Sequence, residues 1–237
     1  MNNNGEGLII FIKKIKDNDI YLRILSNNDE IISGMVYGGN SSKKKSIYQL
    51  GYFLDYSTIQ KNENAPPSIN GEIIEPFVGT IIENKFKSYA LLSIISIINT
   101  SIIEGQKVPR IYKITKGVIN YICAQKHWLS FFCIWLFDLL EVIGYQIEYK
   151  NKMNFKFFDL LTHEFQVKSN NDNTIAFPHN LLSNKGKIDY KEIIAFFSIF
   201  EDVFIKNHLN NINIKIPINY MNFRNIIIKE IKIFSNV

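Results

Sequence analysis

The sequence predicts an α+β chain, with a small five-stranded barrel in residues 1–80 and an α-helical domain in residues 81–237. Three observations carry this expectation. The first eighty residues fall into short apolar runs parted by polar turn clusters at intervals of roughly ten residues, as in small all-β barrels. Beyond Gly79 the apolar residues recur at i, i+3 and i+4, the period of a helix. The composition, 46% hydrophobic and 21% charged, suits a chain that buries a core.

The strands come first. Residues 7–14 are a short apolar run with a basic end. Residues 19–25 alternate, with Ile20, Leu22 and Ile24 on one face and Tyr21, Arg23 and Leu25 on the other. The turn cluster Ser26-Asn27-Asn28-Asp29 then sends residues 30–37 back as the third strand of a hairpin meander. A glycine-led, flexible basic loop follows, Gly38-Gly39-Asn40-Ser41-Ser42-Lys43-Lys44-Lys45-Ser46. Residues 51–60 make an aromatic-rich fourth strand. A polar turn ending in Pro66-Pro67 leads into the fifth, residues 69–78.

The helical part opens with residues 87–104, where Leu91, Ile94, Ile95 and Ile98 share a face. Pro109 begins a second helix through about residue 124. Residues 128–143 are apolar nearly all round, which predicts the central buried helix, with Gly144 as its stop. Residues 145–186 form an irregular insert, read as a short helix over 154–162 and a hairpin around Asn170-Asn171-Asp172-Asn173. Asp189 caps a helix through about residue 204, and Pro217 precedes a final amphipathic helix over 221–234.

The net charge of +5 is compatible with a polyanionic partner. It is unevenly spread: residues 1–80 hold 8 Lys/Arg against 9 Asp/Glu. A nucleic-acid site in the barrel must therefore be a local patch. The two cysteines, Cys123 and Cys133, lie in apolar surroundings and read as buried thiols of a reducing cytoplasm. They form no Cys-x-x-Cys pair, so no thiolate zinc site is expected. No signal peptide is visible, and the most apolar stretch, residues 128–137, is too short to span a bilayer. A cytoplasmic protein is the expectation.

Three groups of side chains can carry binding. Lys43, Lys44 and Lys45 lie between two strands after two glycines, where ammonium groups can follow a phosphate backbone; a solvated surface loop is the plain alternative. Lys13, Lys14 and Lys16 with Arg23 form a second cluster near the first hairpin, or else a charged outer barrel face. Tyr48, Tyr52, Phe53 and Tyr56 interleave with the basic loop. Strand alternation lets only some of them face outward to stack bases, and Tyr48 is the candidate taken forward.

Catalytic patterns do not emerge. His127, His163, His179 and His208 show no ligand spacing, and no Gly-x-Ser-x-Gly, paired-carboxylate or nucleotide fingerprint is present. The basic loop is not a phosphate-binding Walker loop, because lysine stands at position 44 where that motif needs glycine. The expectation is a non-enzyme without cofactor or metal.

The order of features is specific where single motifs are not. Glu6-Gly7-Leu8-Ile9-Ile10 opens the chain, and Asp17-Asn18-Asp19-Ile20-Tyr21-Leu22-Arg23-Ile24-Leu25 forms a hairpin return. Gly38-Gly39 through Lys45 is followed by Gln49-Leu50-Gly51-Tyr52. Farther on stand Leu139-Leu140-Glu141-Val142-Ile143-Gly144-Tyr145 and Ile216-Pro217 before an Arg224-containing helix. This series resembles the RecO family of bacterial recombination mediators along almost the whole chain. The resemblance implies an OB-fold followed by a helical domain, binding of single- and double-stranded DNA, and strand annealing in a cytoplasmic, nucleoid-associated setting. It also implies partnership with RecR and with the C-terminal tail of single-strand-binding protein, in recombinase loading for DNA repair.

The sequence also departs from that pattern. It lacks the zinc cysteines many members carry in the region matching 145–186, and has Asn40 where members often have arginine. Ile134-Trp135-Leu136-Phe137 replaces an Arg-Phe-Glu-Leu segment whose arginine is associated with gripping the single-strand-binding protein tail. Lys113, Lys116 and Lys126 are the nearby cations that could take its place. The rival expectation is a non-catalytic adaptor that binds an acidic protein tail, with DNA secondary.

Overall fold

The structure is a computed structural model, and it describes residues 4–16, 18–60, 65–75, 79, 81, 83–169, 171–183 and 188–235. The chain divides into two compact units, residues 1–123 and 124–237. The change from strand to helix falls between residues 75 and 85, so the first two long helices belong to the barrel's unit.

Five strands build the barrel: β1 (Asn4–Lys16), β2 (Asp19–Ser26), β3 (Ile31–Val36), β4 (Phe53–Ile59) and β5 (Ser68–Glu75). They close in the order β1-β2-β3-β5-β4, with β3 and β5 parallel and every other pair antiparallel. This is the OB-fold arrangement expected from the sequence. The alternation of β2 is as read: Ile20, Leu22 and Ile24 point inward with Ile9, Val36, Leu54, Tyr56 and Ile69. β1 is long because it serves two neighbours, β4 over Asn4–Leu8 and β2 over Gly7–Lys16, with a register shift between Ile9 and Phe11.

The outer face of the barrel is not uniformly wet. Leu8, Leu25, Ile31 and Phe53 are all at most 2% exposed. Two helices of the same unit account for contacts on this side, α1 (Lys85–Ser101) and α2 (Ile111–Ala124). Phe53 meets Tyr112 edge to face at 6.2 Å, and Lys116 on α2 lies over the Phe53 ring and pairs with Glu6. Asn84 caps α1, accepting from Phe86 N and Lys87 N.

The second unit is built on α3 (Leu129–Val142), whose Phe132, Cys133, Trp135, Leu136, Leu139 and Leu140 are buried as the all-round apolar pattern predicts. Three short strands follow, β6 (Phe157–Asp159), β7 (Phe165–Gln166) and β8 (Thr174–Ala176), in the order β7-β6-β8. The helix expected over 154–162 is therefore corrected to a strand. Phe157 and Phe158 pair with Gln166 and Phe165 on one side and with Ala176 and Ile175 on the other, and these non-local ladders override local spacing. α4 (His179–Leu182) and α5 (Tyr190–Phe204) come next, then a π-helical turn (Ile205–Leu209) and α6 (Ile218–Ser235). Asp189 caps α5 as expected, accepting from Lys191 N and Glu192 N. Arg224 and Tyr220 on α6 both bond the carboxylate of Glu201 on α5, at 2.7 and 2.9 Å.

Candidate nucleic-acid interface

The segment between β3 and β4 is wound into a turn that hydrogen bonds to the barrel. Lys45 N donates to Ser41 O at 2.9 Å and Ile47 N to Lys44 O at 2.9 Å, giving a helix-like coil. Its apolar side, Ile47, Tyr48 and Leu50, packs against the barrel core. Lys43 and Lys45 are exposed on the other side. Lys44 is half-buried, with its Nζ 3.4 Å from Tyr37 O.

Two glycines fix how this segment leaves β3. Gly38 sits at φ 67, the left-handed region, and turns the chain. Gly39 approaches the barrel so closely that a Cβ would lie 2.7 Å from Ile20 Cγ1 and 2.9 Å from Val36 Cγ1. The close approach lets the turn bond the β1–β2 hairpin. Asn40 N donates to Asn18 O at 2.7 Å, and Gly38 N donates to Asp19 Oδ1 at 2.8 Å.

The hairpin carries the second cluster. Lys13 and Lys14, both exposed, lie opposite Tyr21 and Ile20 in the β1–β2 ladder, and Lys16 lies opposite Asp19. The side chain of Lys16 falls outside the described residues. The two basic clusters thus sit at one end of the barrel, joined through Asn18, Asp19, Gly38 and Asn40. The other end of β1 has the opposite sign. Glu6 lies opposite Asp55, and Asp55 opposite Glu72, so three carboxylate residues form a row across β1, β4 and β5. Seven residues of strand, about 20 Å, separate Glu6 from Lys13 along β1.

The chain is 28% identical to the DNA repair protein RecO of Rickettsia canadensis over 150 residues, 62% of this chain and 61% of that protein. It is 31% identical to the RecO of Rickettsia akari over 122 residues, 52% of this chain and 50% of the relative. The chain is thus similar to RecO proteins over part of its length. The matches thus span between half and three-fifths of those RecO proteins. No protein-family model matches the chain.

Several other candidate residues are engaged within the fold. Tyr48 is corrected from a stacking surface to a core residue. It is 5% exposed, and its hydroxyl lies 3.2 Å from Gly71 N and 3.5 Å from Gly71 O. Burial raises its pKa. Phe53 and Tyr56 are likewise buried, and Tyr52 is half-buried against the core. Arg23 is half-buried and its Nη1 donates to Asn99 Oδ1 on α1, so its charge turns toward a helix rather than the basic end. Lys116 is held by Glu6 and by the faces of Phe53 and Tyr112. Lys113 and Lys126 are exposed. Among the described residues no group of three His, Cys, Asp or Glu could hold a metal ion, and no helix is long and apolar enough to cross a membrane. One exposed aromatic at the basic end, Tyr37, was not singled out by the sequence reading. Its only signal is its place at the end of a strand next to glycine.

Proposed function

We propose that this protein is a DNA-repair and recombination mediator of the RecO kind, which binds single-stranded DNA at the basic end of its barrel. It then anneals strands and helps load the recombinase with RecR, no bond being broken. The observation that carries the reading is the pair of hydrogen bonds joining the Asn18–Asp19 hairpin to the Gly38–Asn40 turn. They gather Lys13, Lys14, Lys43, Lys44 and Lys45 at one end, while the Glu6–Asp55–Glu72 row disfavours phosphate at the other. In OB-folds the β2–β3 face and the loops joining β1 to β2 and β4 to β5 hold oligonucleotides, and the first of those loops is the hairpin in question. The partner contacts with RecR and the single-strand-binding protein tail rest on the similarity to RecO alone.

The test is binding of labelled oligothymidylate at several salt concentrations, followed by annealing of complementary strands. For a single strand the slope of log affinity against log salt is about −0.7 per phosphate neutralised. Changing Lys43, Lys44 and Lys45 together to Glu should abolish most of the binding. Unchanged affinity in that variant removes the loop from the interface. An acidic tail peptide, titrated alongside, identifies the adaptor alternative if it alone binds near physiological salt.

A further inference from the structure

We infer that the outer surface of β1, β2 and β3 beside the lysines is a base-stacking platform, with Tyr37 as its principal ring and Tyr21 as the second. The inference rests on the proposed single-stranded DNA site and specifies how bases, as distinct from phosphates, are held there. Tyr37 is 61% exposed, although it is a large aromatic residue directly beyond the end of β3. Every other aromatic between β3 and the end of β4 is turned into the fold: Tyr48 is 5% exposed, Phe53 1% and Tyr56 2%, and Tyr52 packs on the core.

The ladder, which ends at Val36, shows the outward row just before Tyr37. Ile20 and Leu22 point into the barrel, so Tyr21 points out. Tyr21 lies opposite Lys13 on β1 and opposite Met35 on β3, giving an outward row Lys13–Tyr21–Met35. Ile15, 45% exposed, stands at the register shift between Lys14 and Lys16, next to this row. Lys44 Nζ reaches the carbonyl of Tyr37 itself. An exposed ring, a partly exposed ring and the apolar Met35 thus stand at the end of the barrel that carries both groups of ammonium ions.

That composition suits a flexible single strand. Ammonium groups take the phosphates, and unstacked bases lie on the rings, which accept any base because each has a π-face. A duplex keeps its bases stacked on one another and has little use for the platform. An acidic peptide would use the lysines without the rings. The platform therefore predicts a preference for strands that carry bases over strands that carry phosphate alone.

The experiment compares oligothymidylate with an abasic deoxyribose-phosphate oligomer of equal length, across a salt series, using the full chain. The wild-type protein should prefer the base-bearing strand by about five- to tenfold. In Tyr37→Ala that ratio should fall close to one, with the salt slope for the abasic strand unchanged, and Tyr37→Trp should restore it. Because Tyr37 is exposed, loss of folding does not obscure the result, and unchanged thermal melting checks this. If wild type binds both strands equally, or Tyr37→Ala keeps the preference, the platform is overturned while the phosphate site stands. If wild type binds neither strand, the DNA-binding reading itself falls.

Discussion

The backbone N–H of Asn40 donates to the carbonyl of Asn18 at 2.7 Å, joining the β3–β4 turn to the tip of the first hairpin. Gly39, one residue earlier, makes that bond geometrically possible. A side chain there would meet Ile20 and Val36 at under 3 Å. Gly39→Val should push the turn off the barrel and cost about 1–3 kcal/mol, as overpacking does. Urea unfolding measures the loss, and binding of oligothymidylate should weaken as Lys43–Lys45 separate from Lys13 and Lys14. Wild-type stability in this variant would contradict the close packing.

A second long-range tie links the hairpin β2–β3 to helix α2. Asp29, at φ 65 in its turn, accepts from Arg110 N at 2.9 Å and Tyr112 N at 3.0 Å through its two carboxylate oxygens. It acts as an N-terminal cap supplied from elsewhere in the chain, with a negative charge at the positive end of the helix dipole. Asp29→Ala should destabilise the protein by about 1–2 kcal/mol. Asp29→Asn should recover part of this, since asparagine tolerates the left-handed backbone and keeps one acceptor. Equal stability of all three proteins in thermal melts would show that the cap is idle.

Much of the barrel was legible because Ile20, Leu22 and Ile24 alternate without interruption and polar clusters stand where turns are needed. The helices were legible for the same reason at a different period, and Asp189 and Asn84 show how short-range capping sets their starts. What could not be read was anything decided by distant pairing. Phe157 and Phe158 sit in a stretch with acceptable helical spacing, and only their partners on β7 and β8 make it a strand. The two lysine clusters were visible separately, but their union depends on the Asn18–Asn40 bond. Tyr48 and Tyr37 both flank the basic turn, and nothing local says that one fills the barrel while the other faces water. The sharing of Phe53, Glu6 and Arg23 with α1 and α2 is likewise a tertiary matter.

The two thiols should behave differently. Cys133 is fully buried in α3, and burial raises its pKa well above the ordinary value, so thiolate is scarce. Cys123 is half-exposed. Alkylation of the native protein near pH 8 should modify Cys123 and spare Cys133 until denaturant is added, as peptide mass mapping would reveal. Equal labelling of both in the native state is the result incompatible with the packing of α3.

In the second unit a single carboxylate organises the β6–β7–β8 sheet. Asp159 accepts from Asn171 Nδ2 at 2.9 Å, Leu161 N at 2.8 Å, Thr162 N at 3.2 Å and Gln166 Nε2 at 3.2 Å. These bonds favour the charged form, the Asn171 amide first and then the Leu161 N–H, and they hold the carboxyl below the usual range. Because the folded group titrates below its unfolded counterpart, the stability it contributes is complete above the unfolded pKa of about 3.9. That contribution fades as the pH falls through the unfolded value toward the folded one. The small sheet should therefore loosen in acid before the apolar core around α3 does. Amide exchange read by NMR would show it as faster exchange at Leu161 and Thr162, after correction for intrinsic rates, with α3 still protected. Asp159→Asn should produce the same local loosening at neutral pH, because an amide offers one acceptor oxygen and brings two donors among four. Protection at Leu161 that is independent of pH and intact in Asp159→Asn would show that the sheet is held by Phe158, Phe165 and Phe177 alone, whose rings pack together at 4.8–6.2 Å.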